Sequence, residues 1–293
     1  MNKTSFDIQV TDKCNLHCKH CLMDSSMGIF DKTDFDKIIK ILHKQQKVDT
    51  IYLSGGDPGI GNIPGILKLM NEFPNTKYKL VTNLCYPLTK ERIELIKRVD
   101  SIQTSFDIHI RFGNIKNLVR WYHNCKYIIN NIRSDLEVVT TINKYSVKKD
   151  PNRFYKFFKN MNFSSYVYFH LSCLGSLHRN MDIYVDKDEY KTWMLKVLEI
   201  EDYKNNTIRV IVNKEWLGCN YHYTQPIDPH GNLVHCAAHE RSNDNCWNRE
   251  ECMTCKFFNT KCGGACCSTP CMFDEEIYDK AKEIVDHWNK TNK

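Results

Sequence analysis

Phe6-Asp7-Ile8-Gln9-Val10-Thr11-Asp12-Lys13-Cys14-Asn15-Leu16-His17-Cys18-Lys19-His20-Cys21 reads as a strand that runs into a cysteine loop. Residues 6–10 alternate apolar and polar with period two, the pattern of a half-buried β-strand. The loop that follows carries three cysteines in the spacing C-x3-C-x2-C. Downstream, Thr33 to Gln46 places Phe35, Ile38, Ile39, Ile41 and Leu42 at helical spacing, with Thr33 and Asp36 spaced as a capping box. Thr50 to Leu53 reads as the next strand, broken by Ser54-Gly55-Gly56-Asp57-Pro58. Ile63 to Phe73 reads as a helix ended by Pro74. Strands over 78–82, 102–106, 136–142 and 166–171 then alternate with helices over 89–99, 116–130 and 151–161.

Six β/α alternations predict an α/β fold: a parallel sheet whose strands are joined by crossover helices. Eight would close a full TIM-type barrel, so six predict a partial, open (β/α)6 barrel. Asp186 with Glu189 caps a helix to about Ile200, and Ile208 to Val212 reads as one more strand. Beyond it the composition turns to Cys, Gly, His and Asn, which predicts a small cysteine-rich domain not held by a hydrophobic core. The expected division is 1–212, 213–273, and a closing amphipathic helix over 274–293.

Hydrophobic residues make up 42% and charged residues 26%, a globular balance that excludes disorder and coiled coil. No apolar run approaches the roughly 20 residues of a membrane-spanning helix. The first ten residues contain no apolar signal core, so a cytoplasmic chain is expected. The net charge of +6 is spread out, and no nucleic-acid or membrane partner is expected.

There are 15 cysteines, three between 14 and 21 and nine between 219 and 271. Cys85, Cys125 and Cys173 alone lie between those groups. Disulfide scaffolds do not leave so long a stretch unstapled, so metal or redox chemistry in a reducing compartment is the better reading. Three thiolates on one short loop can hold three corners of an iron-sulfur cube, leaving one iron open. The competing reading is a structural zinc loop, with His17 or His20 as the fourth ligand.

The segment Thr11 to Cys21 resembles the signature of the radical S-adenosylmethionine (radical SAM) superfamily. That family prefers an aromatic residue where this chain has His20. Gly55-Gly56-Asp57-Pro58 resembles the family's Gly-Gly-Glu-Pro segment, with Asp57 one methylene shorter. Thr82-Asn83, Ser105-Phe106-Asp107 and Thr141-Ile142-Asn143 end successive strands, where the family commonly touches SAM. The resemblance implies a [4Fe-4S] cluster on Cys14, Cys18 and Cys21. It also implies SAM held by Gly55, Gly56, Asp57, Thr82, Asn83, Ser105, Asp107 and Asn143. The implied chemistry is reduction of SAM to methionine and a 5′-deoxyadenosyl radical that takes a hydrogen from substrate, fed by an external electron donor such as flavodoxin or ferredoxin. Leu174 to Asn180 resembles a loop the family lays over SAM, with Arg179 a candidate carboxylate contact.

Cys219, eleven residues, Gly231, four residues and Cys236 resemble the opening of a SPASM or twitch auxiliary domain. His230-Gly231-Asn232 is a hairpin signal that sets those cysteines side by side. Cys252-x2-Cys255 follows, then Cys262, Cys266, Cys267 and Cys271. The resemblance implies one or two auxiliary iron-sulfur clusters: Cys252, Cys255, Cys262 and Cys271 on an outer one, and Cys219, Cys236 and Cys266 on an inner one. The inner cluster lacks its fourth ligand unless Cys246 supplies it. A zinc ribbon is the alternative for this segment.

Cys173, just past the sixth strand, is a candidate hydrogen donor to a substrate radical, although a lone cysteine is most often a small buried hydrophobe. The resemblance implies an oxidoreductase-like enzyme that modifies a ribosomally made peptide or protein by crosslinking, epimerisation or oxidation. The alternative is a small-molecule dehydrogenase or epimerase of the aminoglycoside type, and the remote one a non-catalytic iron-sulfur or zinc protein. Only 13 residues precede Cys14, so a separate leader-peptide carrier is a candidate partner.

Overall fold

A computed structural model describes residues 4–21, 33–107, 109–170, 180–200, 205–213, 224–234, 254–257, 260 and 273–291. Six strands arrive where the period-two pattern placed them: β1 (Ser5–Gln9), β2 (Thr50–Ser54), β3 (Lys77–Val81), β4 (Ser101–Ser105), β5 (Leu136–Ile142) and β6 (Ser165–His170). The helices between them are α1 (Phe35–His43), α2 (Ile63–Glu72), α3 (Lys90–Arg98), α4 (Ile115–Asn131) and α5 (Pro151–Met161). α6 (Lys187–Leu198), α7 (Asn206–Val212) and α8 (Glu275–Thr291) follow.

The helix starts are fixed by side-chain caps that satisfy otherwise orphaned amides. Asp150 caps α5, and Asp186 takes the amides of Asp188 and Glu189 at α6. At α1 the expected capping box is not formed. Asp34 is the cap and accepts from the Lys37 amide, while Thr33 Oγ1 donates to the Val10 carbonyl at 2.5 Å and ties this helix start to the end of β1.

All neighbouring strands pair parallel, in the order β6-β5-β4-β3-β2-β1-β7, an open seven-stranded sheet. The seventh strand, β7 (Gln225–Ile227), escaped the sequence reading, because three residues with a central proline carry no period. Pro226 is tolerated because β7 is an edge strand, where a missing N–H breaks no ladder. β7 opens the hairpin foreseen at His230-Gly231-Asn232. The amide of Val234 returns to the Pro226 carbonyl at 3.1 Å, Ile227 bridges Leu233 antiparallel, and Gly231 takes φ +70°.

Ile208 to Val212, read as a strand, is instead the helix α7. A short, mostly apolar run is ambiguous between the two periods. Asn205 decides it by accepting the Thr207 amide at 3.1 Å as the helix cap. Thr207 Oγ1 then accepts the Tyr168 amide at 2.9 Å, so a side chain meets the outer edge of β6.

Phe6, Ile8, Ile51, Leu53, Leu80, Ile102 and Val138 point to the helices and are almost wholly buried against residues such as Ile38, Leu69, Trp121 and Phe158. The opposite face of the sheet lines the lumen, and it is polar. Asp7, Tyr52 and Lys79 lie in register across β1–β3, and Gln103, Glu137 and Ser165 across β4–β6, the two rows offset at the β3–β4 ladder, where Lys79 pairs with Ser101. A closed barrel usually fills this space with branched aliphatic side chains. Here a cavity of about 700 Å³ lies among these residues, lined also by Ser101, Asp135 and Ser164 at the strand starts. Among the described residues, no helix is long and apolar enough to cross a membrane.

Candidate functional site: the cysteine loop and its cradle

The loop after β1 lies at the C-terminal ends of the strands, where such folds carry their chemistry. It is held there by the backbone of the next loop. The Gly56 amide donates to Thr11 O at 2.6 Å, and the Asp57 amide to Lys13 O at 2.8 Å. Only glycine fits this approach. A Cβ on Gly55 would stand 2.2 Å from Thr11 O, and one on Gly56 would stand 2.3 Å from Lys13 O. Gly55 also adopts φ +118°, which L side chains avoid. The Gly-Gly pair is therefore the seat on which the cysteine loop rests.

Asp57, Thr82 and Asn83 form the next layer. Asp57 is 1% exposed. Its Oδ1 accepts from the Gly59 amide at 2.8 Å and from Thr82 Oγ1 at 2.9 Å, and its Oδ2 accepts from the Asn83 amide at 2.6 Å. Burial pushes its pKa up to about 6, against the opposing effect of the hydrogen bonds from Asn83, Thr82 and Gly59. This carboxylate ties the loop after β2 to the end of β3. Of its roughly four acceptor positions, three are taken, so at most one remains for a cofactor ammonium. In Asp57→Ala, the two amides and the hydroxyl lose their acceptor, and about 3 kcal/mol or more of folding stability should go with it at 1–3 kcal/mol per buried orphan. Urea unfolding monitored by circular dichroism measures this. An unchanged midpoint would reduce Asp57 to a ligand contact alone.

Asn83 reaches the cysteine loop directly. Its Nδ2 donates to Asn15 Oδ1 at 3.0 Å and lies 3.5 Å from Cys14 Sγ, while its Oδ1 accepts the Cys85 amide at 2.7 Å. Asn15 in turn donates to Cys85 O at 2.9 Å. The next residue, Leu84, sits at φ +53°, a strained conformation for a branched side chain. Asn124 Nδ2 holds it there by donating to the carbonyls of Leu84 and Tyr86 at 2.8 and 2.7 Å.

The third wall comes from the end of β4. Asp107 is fully buried and bonded to Arg111 Nε, to His20 Nε2 at 3.2 Å and to the Thr141 amide at 2.5 Å. Burial alone would raise its pKa, but Arg111 and His20 outweigh that and hold the carboxyl well below the ordinary range. Ser105 ends β4, half-buried on the lumen side. Asn143 turns inward on its own loop. Its Oδ1 accepts the amides of Tyr145 and Ser146, and its Nδ2 donates to Thr141 O, so it serves as a turn cap.

Cys14 and Cys21 are partly exposed, and Cys18 is buried. Burial pushes the Cys18 thiol up to about 12, partly opposed by the Arg111 charge. Among the described residues, no three His, Cys, Asp or Glu side chains converge on a point that a single metal ion would fill. A [4Fe-4S] cube asks for a different arrangement, with one thiolate at each of several corners. Three cysteines on one loop, with a glycine seat beneath and Asn83 beside Cys14, fit that group. Cys173, Arg179, Cys219, Cys236, Cys246, Cys252, Cys262, Cys266, Cys267 and Cys271 lie outside the described residues, and Cys255 is exposed.

Sequence reasoning missed Arg111, Asn15 and Asp7. The i,i+4 spacing of Asp107 and Arg111 was the available signal for the first. Asp7, on the lumen layer, accepts from Ser54 Oγ. Burial raises its pKa to about 6, against the smaller pull of Ser54. Its folded state thus holds a proton that the unfolded chain releases near the ordinary value of 3.8, so this group's contribution to stability falls as pH rises from about 4 to 6. Asp7→Asn should remove that slope and stabilise the chain at pH 8 by roughly 1–3 kcal/mol. Urea midpoints at pH 5 and pH 8 measure it. Equal pH dependence in both proteins would count against the burial.

Residues 8–147, just under half of the chain, match the family model of the Radical SAM superfamily. No curated protein matches the chain. Among solved structures, hexahistidine-tagged anSMEcpe with bound AdoMet superposes with a TM-score of 0.69 at 13% identity, over 96% of this chain and 95% of that one. Native anSMEcpe with bound AdoMet and the Cp18Cys peptide gives 0.65 at 14% identity, over 95% and 94%. Streptococcus suis SuiB bound to its precursor peptide SuiA gives 0.61 at 14% identity, over 94% of this chain and 66% of SuiB. At such identities the likeness is one of fold, and the fold is the partial barrel described above.

Proposed function

We propose that this chain is a radical SAM enzyme that modifies a ribosomally made peptide or protein by crosslinking, epimerisation or oxidation. The observation that carries the reading is the C-x3-C-x2-C loop seated on Gly55-Gly56 at the C-terminal mouth of a partial barrel, inside the segment that matches the Radical SAM model. Cys14, Cys18 and Cys21 would hold a [4Fe-4S] cluster, which would supply the electron for reductive cleavage of SAM to methionine and a 5′-deoxyadenosyl radical. The chain's own residues position and shelter. Gly55 and Gly56 let the loops approach closely, Asn83 Nδ2 braces Cys14, and Asp57 with Thr82 fixes the floor of the SAM site. Asp107 and Asn143 hold the ends of β4 and β5 around it. Arg179 belongs to this reading as a SAM contact and Cys173 as a hydrogen donor.

Two observations support a peptide substrate. The fold extends across nearly the whole of anSMEcpe, which has been solved with peptides bound, and SuiB has been solved with its precursor peptide. The second reading is a small-molecule dehydrogenase or epimerase of the aminoglycoside type. Auxiliary clusters on Cys219, Cys236, Cys252, Cys255, Cys262, Cys266 and Cys271, a flavodoxin or ferredoxin donor, a separate leader carrier and a cytoplasmic setting belong to this proposal.

The test is anaerobic reconstitution with iron and sulfide, followed by incubation with SAM and dithionite. Release of 5′-deoxyadenosine and methionine is expected. A colourless, zinc-loaded protein that releases neither would sink the reading. Mass shifts in peptides encoded beside the gene, against none in aminocyclitols, separate the two substrate classes.

A further inference from the structure

Arg111 is a buried cation, its side chain 16% exposed, pressed against the cysteine loop without being one of its ligands. Its Nε donates to Asp107 Oδ2, and its Nη2 lies 3.1 Å from His20 Nε2. Its backbone carbonyl accepts from Cys18 Sγ at 3.6 Å, and the neighbouring Ile110 carbonyl accepts the Lys19 amide at 3.1 Å. Segment 109–111 is thus stitched to the loop by backbone and by side chain, with His109 held at φ +63°. The Arg111 charge reaches both Cys18 and Cys21. The Asp107 charge reaches Cys18 with the opposite sign.

Stability does not explain this pair. Taking two charges out of water costs several kcal/mol per ion, and an apolar pair of similar volume is often as stable. What an apolar pair cannot supply is a fixed charge beside the thiols. Adding one electron to a thiolate-ligated cluster raises its negative charge, and a nearby cation in a low-dielectric site favours the reduced form.

We propose that Arg111 is a positioning residue that raises the reduction potential of the cluster on Cys14, Cys18 and Cys21, with Asp107 and His20 fixing its guanidinium against the loop. This rests on the radical SAM reading above. The step is a one-electron transfer: a low-potential donor loses one electron, the cluster gains it, and no bond or proton moves.

The experiment is a redox titration of the anaerobically reconstituted full chain with dithionite, followed by electron paramagnetic resonance. The cluster with the open iron is recognised as the signal that changes when SAM is added. Arg111→Met should make its reduction at least tenfold less favourable, a midpoint about 59 mV more negative for one electron. Asp107→Asn, which keeps a hydrogen-bonding side chain but loses the opposing charge, should move the midpoint the other way. Arg111→Lys should stay nearer the wild type than Arg111→Met does. A purely structural role would move the first two in the same direction, and that result overturns the proposal, as does a wild-type midpoint in Arg111→Met. Should Arg111→Met fail to hold iron, Asp107→Asn decides: a positive shift supports the proposal, and an unmoved midpoint overturns it. A wild-type chain with no SAM-sensitive signal overturns the reading beneath the proposal and the proposal with it. A normal wild type with unmoved variants overturns the proposal alone.

Discussion

Cys18→Ala, reconstituted anaerobically and given SAM and dithionite, should release no 5′-deoxyadenosine above background while its circular dichroism remains that of the native chain. The separation of the two effects follows from where Cys18 sits. It is 8% exposed and packs within the main core, so its loss leaves a small void worth about 1 kcal/mol. The fold rests on the helix-covered face of the sheet, through Phe6, Ile8, Leu53 and Leu80, and none of these is disturbed. A cluster left with two thiolates, by contrast, would lose the ligation on which SAM cleavage rests under the proposed function. Iron analysis should show loss at this loop only. Wild-type 5′-deoxyadenosine release from Cys18→Ala would remove the loop from the mechanism.

Gly56→Ala should lose both stability and iron. Its Cβ would stand 2.3 Å from Lys13 O, 2.5 Å from Asp12 O and 2.6 Å from Lys13 C. These are backbone atoms, so no side chain can swing aside to relieve the clash. Relief requires moving residues 12–13, and Cys14 moves with them. The hydrogen bonds of Gly56 N to Thr11 O and Asp57 N to Lys13 O break in the same displacement. Overpacking of this kind, with two broken bonds, should cost about 3 kcal/mol. The loss is read from the urea midpoint, together with reduced iron uptake. Gly113→Ala is the control. It has a left-handed backbone, φ +68°, but its Cβ meets nothing within 4 Å. It should therefore lose only the conformational cost of about 1–2 kcal/mol and keep its iron. Equal losses in the two variants would show that the close approach is not what Gly56 relieves.

The place of the first cysteine loop was legible from the period-two strand before it, and the structure sets the loop at the end of that strand. The resemblance implied a SAM contact at Gly55-Gly56, but it did not foretell the close packing of that pair on Thr11 and Lys13. That contact joins two loops whose sequences say nothing of the distance between them. Asp57 shows the same gap. Its motif suggests a ligand, and its hydrogen bonds show a tie between β2 and β3. His20 stood out as a departure from an aromatic preference and as a candidate zinc ligand, and its partner Arg111 lies 91 residues away.

Strand and helix order, the parallel direction of the first six strands, the start of α6 and the site of the hairpin at Gly231 are all written locally. Each depends on a period of two or 3.6, on a capping side chain, or on a turn residue within a few positions. The folded chain alone ties α7 to the edge of β6, where Thr207 Oγ1 accepts the Tyr168 amide from 39 positions earlier. It alone seats β7 beside β1, more than 200 residues earlier, and turns a polar layer of six strands into a lumen. It also brings Asp107, Arg111 and His20 together against Cys18. These arrangements rest on hydrogen bonds and charge contacts effective only within a few ångströms, and the packing of the folded sheet supplies those distances where spacing along the chain does not.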